Sequence, residues 1–145
     1  MKTKSEPLEK KWGENSMVMG WTAIPTSMLF LQAELSITPL GFNILINLIS
    51  HWWESNEHPF PSQESLAKRM GVSKRSIQRE ISNLIEQNLL EKTATKSSNR
   101  KYKGRNTYDL SKMVKALNEK TPEKVRNMQR NRIKREDKVE KEIDF

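Results

Sequence analysis

The chain has 145 residues, 34% of them hydrophobic and 30% charged, with a formal net charge of +8 and no cysteine. That leaves room for one domain of ordinary size with a modest core, and it excludes disulfides and thiolate metal sites. The charge is uneven: residues 1–61 carry a net −2, residues 62–120 a net +8 and residues 121–145 a net +2, so a polyanionic partner would meet the middle segment.

Residues 1–16 are polar and unpatterned and read as a flexible lead-in in which only Trp12 has much to bury. In "GWTAIP", Trp21 and Ile24 are placed to pack ahead of Pro25, which suits the first position of a helix. A short helix over about 25–34 would present Met28, Leu31 and Leu35 at spacings of three and four. Thr38 then caps a helix with Pro39 at its first position, and Leu40, Ile44, Leu45, Leu48, Ile49 and Trp52 form a wide apolar stripe. Pro59 and Pro61 bar its continuation.

Two helices follow in quick succession. Ser62 caps the first, Leu66, Ala67 and Met70 turn inward, and Gly71 ends it where a left-handed residue is needed. Ser73 caps the second, whose Ile77, Ile81, Leu84 and Ile85 repeat as one buried face. The link Gly71-Val72-Ser73 is short enough to force a steep crossing, with Val72 tucked between the helices. "LLEKTATK" and "NTYDL" read as strands around the basic loop "SSNRKYKGR", giving a hairpin. Ser111 is then expected to cap a short helix through Leu117 that folds Val114 and Leu117 onto the core. Val125, Met128 and Ile133 are spaced by three and then five, which keeps no single face, so residues 121–145 are expected to form a charged helical or disordered tail. The domain proper would span residues 17–120.

A helix, a tight glycine turn, a second helix and a basic hairpin are the parts of a device that lays its second helix in the DNA major groove. With Ile77 at zero and about 100° per residue, Gln78, Ser82, Arg75 and Arg79 share the arc opposite the buried face. These are residue types that read base edges: arginine binds guanine O6 and N7 through two hydrogen bonds, and glutamine does the same at adenine N6 and N7. Ser73, Lys74 and Ser76 sit in the first turn, nearer the phosphates, and Lys96, Arg100, Lys101, Lys103 and Arg105 give the loop five cations and no acid. The same face could be merely solvated. The capped pair, the short link, the polar types and the confinement of charge to this segment together favour double-stranded DNA.

Residues 61–92, "PSQESLAKRMGVSKRSIQREISNLIEQNLLEK", resemble the winged helix-turn-helix of bacterial, phage and plasmid regulators and replication proteins. The flanking "GWTAIP", "LGFNILINLISHWW" and "NTYDLSKMVKAL" extend that resemblance over about residues 17–118. It implies a mainly α fold with a small β-hairpin wing and extra N-terminal helices, with residues 73–88 as the recognition helix and 96–105 as the wing. One departure is Glu80, where an apolar residue is common; the wheel puts it on the flank, expected to pair with a neighbouring lysine or arginine.

The expectation is a cytoplasmic DNA-binding protein that regulates transcription for a bacterial or mobile-element operon. The alternatives are a plasmid or phage replication protein, and a protein-interaction winged helix with incidental DNA binding. A replication initiator would often carry two winged domains, and this chain reads as having a single one. A homodimer would suit a palindromic operator, through the aromatic helix or the tail. His51, Glu54, Glu57 and His58 lack the geometry of a metal site, and no phosphate-binding glycine loop, carboxylate pair or nucleophile with a base is present. Neither cofactor, metal, catalysis nor membrane insertion is expected.

Overall fold

A computed structural model describes residues 6–143. In chain order it contains α1 (Leu8–Trp12), α2 (Thr26–Phe30), α3 (Pro39–Ser50), α4 (Gln63–Met70), α5 (Lys74–Glu86), β1 (Glu91–Thr93), β2 (Thr107–Asp109) and α6 (Ser111–Ile143). The fold is mainly α, with a two-stranded antiparallel hairpin directly after the α4–α5 pair, as in a winged helix-turn-helix.

The caps form where the sequence places them. Thr38, Ser62 and Ser73 each accept a bond from the backbone N–H three residues on, and Pro39 opens α3. Gly71 ends α4 at φ 68°, the left-handed conformation that a Cβ disfavours. Asn88 takes the same conformation at φ 59° after α5, and the Leu89 N–H closes back on Leu84 O at 3.0 Å. That turn drives Leu89 and Leu90 into the core before the hairpin begins.

The core gathers Met28, Leu31, Ile44, Leu45, Leu48, Leu66, Ile77, Ile81 and Leu84 from α2 through α5, together with Tyr108, Leu110, Met113 and Leu117. Tyr108 anchors the hairpin: its ring is fully buried and its N–H donates to Pro59 O at 2.9 Å. The hydroxyl is buried without a hydrogen-bond partner among the described residues, a desolvation cost that burial of the ring must outweigh.

α5 is held against α3 at one close approach. Thr38 Oγ1 accepts from the Gly41 N–H at 2.9 Å and donates to Glu80 Oε2 at 2.8 Å. A Cβ on Gly41 would lie 3.0 Å from that hydroxyl and at ordinary contact, 3.6 Å, from Glu80 Oε2 and Leu84 Cδ2, so glycine leaves the hydroxyl room to make both bonds. Glu80 is therefore not on a solvated flank beside a cation. It is 9% exposed and bonded to a residue 42 positions upstream.

Other expectations are corrected in the same way. α2 stops at Phe30, with Pro25 at the cap position and not inside the helix, although Met28, Leu31 and Leu35 are all buried as their spacing requires. Trp21 remains 65% exposed, so only Ile24 of that pair packs on the core. Trp52 lies past the end of α3 and is half-buried. The strands shorten to three residues each, because Leu89 and Leu90 belong to the core.

Ser111 does not cap α6. Asp109 Oδ1 accepts the Ser111 N–H at 2.8 Å, and Met113, not Val114, is buried beside Leu117. α6 does not end at Leu117 either: it runs for 33 residues through Pro122 and across the expected boundary at residue 120. Proline removes one helical N–H and crowds the preceding turn. Here Thr121 Oγ1 bonds Leu117 O, and Lys124 pairs with Glu34 just beyond, so side chains hold the helix on both sides of Pro122. The expected lead-in and tail fall partly on residues 1–5 and 144–145, outside the described residues; within them, α1 buries nothing and the tail is helical to Ile143.

The Thr38 junction generates a stability prediction. Thr38→Val removes the α3 cap and leaves the buried Glu80 carboxylate without its donor, and should cost about 2 kcal/mol or more. Thr38→Ser keeps the hydroxyl and should cost well under half of that. Urea denaturation of the two variants checks it; a Thr38→Val protein as stable as the parent would show that the hydroxyl does not hold the junction.

Candidate nucleic-acid interface

α5 presents two faces. Ile77, Glu80, Ile81 and Leu84 are buried, while Arg75, Gln78, Arg79 and Ser82 are exposed, as the helical wheel required. Among the described residues Arg75, Arg79 and Ser82 make no side-chain hydrogen bond or ion pair with the rest of the chain. Gln78 Nε2 donates to Gln63 Oε1 at 3.1 Å, so it must exchange a partner on α4 for any base it reads.

Of the residues expected near phosphates, several are already committed. Ser73 Oγ accepts the Ser76 N–H at 3.1 Å, and the two hydroxyls lie 2.9 Å apart, so both serve the helix start first. Lys74 Nζ pairs with Glu64 Oε1 on α4, and that pairing is the largest cause holding the Glu64 carboxyl below its ordinary range; the charge of Arg105 adds a smaller pull. Glu64 thus sits as an internal acid among the cations.

The wing is a structured turn and not a loose loop. Asn99 Oδ1 accepts the N–H groups of Lys101 and Tyr102, the Lys103 N–H returns to Asn99 O at 2.8 Å, and Lys103 and Gly104 both have positive φ. A Cβ on Gly104 would stand 3.1 Å from Ser97 Cα, so the two sides of the turn close tightly. Tyr102 packs edge-on against Phe60, ring centroids 5.1 Å apart, and carries the Lys101 ammonium over its face. This contact and the Tyr108–Pro59 bond pin the wing to the segment before α4.

One result is a cleft of about 390 Å³ between the start of α4 and the wing, lined by Lys74, Lys103 and Arg105 with Ser62, Gln63 and Glu64. An adjoining cleft of about 360 Å³ carries Lys101 and Arg105 beside His51, His58 and Trp53. Of the cations read from α5, Lys74 therefore meets Lys103 and Arg105 of the wing in one cleft, and Arg75 and Arg79 lie outside both clefts. Lys96 and Arg100 lie on exposed parts of the wing, outside both clefts.

The sequence reading passed over the residues that organise this surface: Gln63 and Glu64, which hold Gln78 and Lys74, Phe60, which seats Tyr102, and Arg69. Gln63 and Glu64 occupy the first turn of α4 beside the cap, the one local signal that could have placed them. Arg69 gives both terminal nitrogens to His51 Nε2 at 3.2 Å and one to Asn47 Oδ1 at 3.1 Å, locking α4 to α3. A guanidinium only donates, so His51 Nε2 must accept and the ring is neutral. Burial first, and then the Arg69 charge, hold His51 below its ordinary 6.5. Among the described residues no three His, Asp or Glu side chains come together as metal ligands.

A folded pKa below the unfolded one means the unfolded chain binds the proton first. The His51 contribution to stability is accordingly complete above about pH 6.5 and is lost as pH falls through the folded value. In an NMR titration His51 should titrate below 6.5, and Arg69→Met should raise its midpoint while leaving the part due to burial. A midpoint unchanged by that substitution would remove Arg69 from the account.

Residues 35–90 match the family model described as a helix-turn-helix domain, a span that takes in α3, α4 and α5 and ends at Leu90 before the wing. No curated protein matches the chain. The matched segment is the one that carries the exposed α5 face, and the similarity supports DNA binding by this part of the chain.

Proposed function

We propose that the protein binds double-stranded DNA with sequence preference and regulates transcription in the cytoplasm, for a bacterial or mobile-element operon, by occupying an operator and not by catalysis. The observation that carries this reading is the exposed Arg75, Gln78, Arg79 and Ser82 face of a capped α5 whose first residue, Lys74, shares a cleft with Lys103 and Arg105 of the wing. Arg75, Gln78, Arg79 and Ser82 read base edges in the major groove, which is about 12 Å wide and accepts one helix. Lys74, the wing cations and the cap serines Ser73 and Ser76 hold the backbone. Among the described residues no helix is long and apolar enough to cross a membrane.

The deciding experiment is selection of genome fragments by the purified protein at low and moderate salt. One short motif near a promoter supports the regulator, and iterated copies at a replication origin support a replication protein in its place. Unselected DNA that is lost with salt would make the basic surface electrostatic footing only, with another protein as the recognised partner.

On a selected site, about six phosphate contacts give a slope of log affinity against log salt of roughly −5. Lys103→Ala with Arg105→Ala should flatten that slope by about 2 and weaken all sequences alike. Arg75→Ala or Arg79→Ala should instead cost about 1–3 kcal/mol of discrimination at one base pair. Filter binding across a salt series separates the two behaviours.

Glu64→Gln releases Lys74 from its ion pair and removes an acid from the cleft. Affinity for any duplex should rise about two- to five-fold at low salt, with the gain fading as salt is added. A loss of affinity on this substitution would show that Glu64 positions Lys74 and does not compete for it.

A further inference from the structure

Beyond Pro122, α6 leaves the body of the protein with its apolar residues uncovered: Val125 and Met128 are each 45% exposed, Val139 52% and Ile143 74%. Stepping about 100° per residue from Val114, the residues Thr121, Val125, Met128, Arg132, Val139 and Ile143 all fall within an arc of roughly 60°. Ile133 alone lies off it, which is why spacing by three and five hid the stripe. The stripe begins inside an open apolar groove of about 780 Å³ lined by Pro25, Ile49, Trp52, Val114, Leu117 and Val125. Val125 belongs to both.

The charge along this segment is polarised. Residues 124–135 carry six lysines and arginines and no acid, whereas residues 136–143 carry four acids and two lysines. Two such helices side by side in parallel would set the basic stretch against itself. Set antiparallel, the basic stretch of each meets the acidic stretch of the other. With Val125 opposite the partner's Ile143, Met128 falls beside the partner's Val139 and Arg132 beside the partner's Glu136. The same register brings the end of the partner helix to the mouth of the groove, where Val125 enters it.

We propose that the distal half of α6 is a homodimerisation helix, and that a second copy of this chain lies antiparallel along its Val125–Met128–Val139–Ile143 stripe. The arrangement is self-complementary, as a two-fold interface must be. Arg132 already bonds Glu136 of its own helix at 2.9 Å; the antiparallel register sets this pair beside the same pair of the partner with the charges crossed, whereas a parallel register would set Arg132 against Arg132. This inference does not rest on DNA binding and is tested without DNA.

Sedimentation equilibrium of the full chain across the micromolar range should give a dimer that dissociates on dilution and weakens at molar salt. Met128→Glu with Val139→Glu should make it a monomer while leaving the far-UV spectrum and the thermal transition of the domain in place, because both side chains are exposed. The chain lacks cysteine, so orientation is read directly: mixed Val125→Cys and Ile143→Cys proteins should cross-link to each other on oxidation, and neither to itself. A monomer at every concentration, a dimer indifferent to the double substitution, or a Val125→Cys homodisulfide would each overturn the proposal.

Discussion

The hydroxyl of Thr38 makes two bonds, and the placement of α5 depends on both. One closes the first turn of α3 and the other reaches across to the Glu80 carboxylate, with Gly41 leaving the hydroxyl room to make both. Had Glu80 been apolar, packing alone would leave α5 free to rotate by part of a residue while still burying Ile77, Ile81 and Leu84. A carboxylate that must find one donor in a low-dielectric gap does not tolerate that rotation, because losing the bond costs more than the bond gains. The polar residue on the inner side of α5 thereby adds a directional contact to the packing of Ile77, Ile81 and Leu84, the face opposite which Arg75, Gln78 and Arg79 stand.

What could be read in advance was whatever is written locally. The three caps, the left-handed Gly71, the stripes of α3 and α5 and the existence of the hairpin each depend on residues within a turn or two of one another. Glu80 could not be placed this way, since its partner is 42 residues distant and its type suggested solvent. Trp21 failed for the opposite reason: a large apolar side chain promises burial, but the segment around it has no partner element to bury it against. The length of α6 was hidden because Val125, Met128 and Ile133 keep no single face by spacing, and a proline at 122 disfavours a helix running through it. At the start of α6 it is Asp109 and not Ser111 that accepts a backbone N–H: its carboxylate takes the Ser111 N–H, whereas a Ser111 cap would have taken one two or three residues further on. The exposed α5 face itself was fully legible, since a helix with a fixed buried side has only one other side.

The cations in the basic segment are not equivalent. Arg69 is spent on His51 and Asn47 inside the α3–α4 joint, Lys112 on Glu91 between α6 and the hairpin, and Lys74 on Glu64 at the edge of the cleft. Arg75 and Arg79 have no such internal partner among the described residues. An exposed pair gains little in water and is screened by salt, so the Lys74 pair is readily exchanged for a phosphate. The Arg69 fork, bonded to a neutral ring and an amide, is part of the framework. Net charge therefore overstates how many cations a ligand can recruit, and geometry decides which.

The same distinction separates the two cationic regions of the molecule. Within residues 62–120, the stretch 74–105 that spans α5 and the wing carries nine lysines and arginines against three acids, and one of those acids, Glu80, is turned inward. In α6 the positive stretch is followed at once by one with four acids and two lysines, and a two-fold pairing would set the two against each other. A polyanion approaching such a dimer would find the α6 cations partly offset by the partner's acids, while Arg75 and Arg79 keep no internal acid among the described residues. The face that can read sequence therefore keeps its cations open, and part of the charge on the face that joins the copies is engaged there.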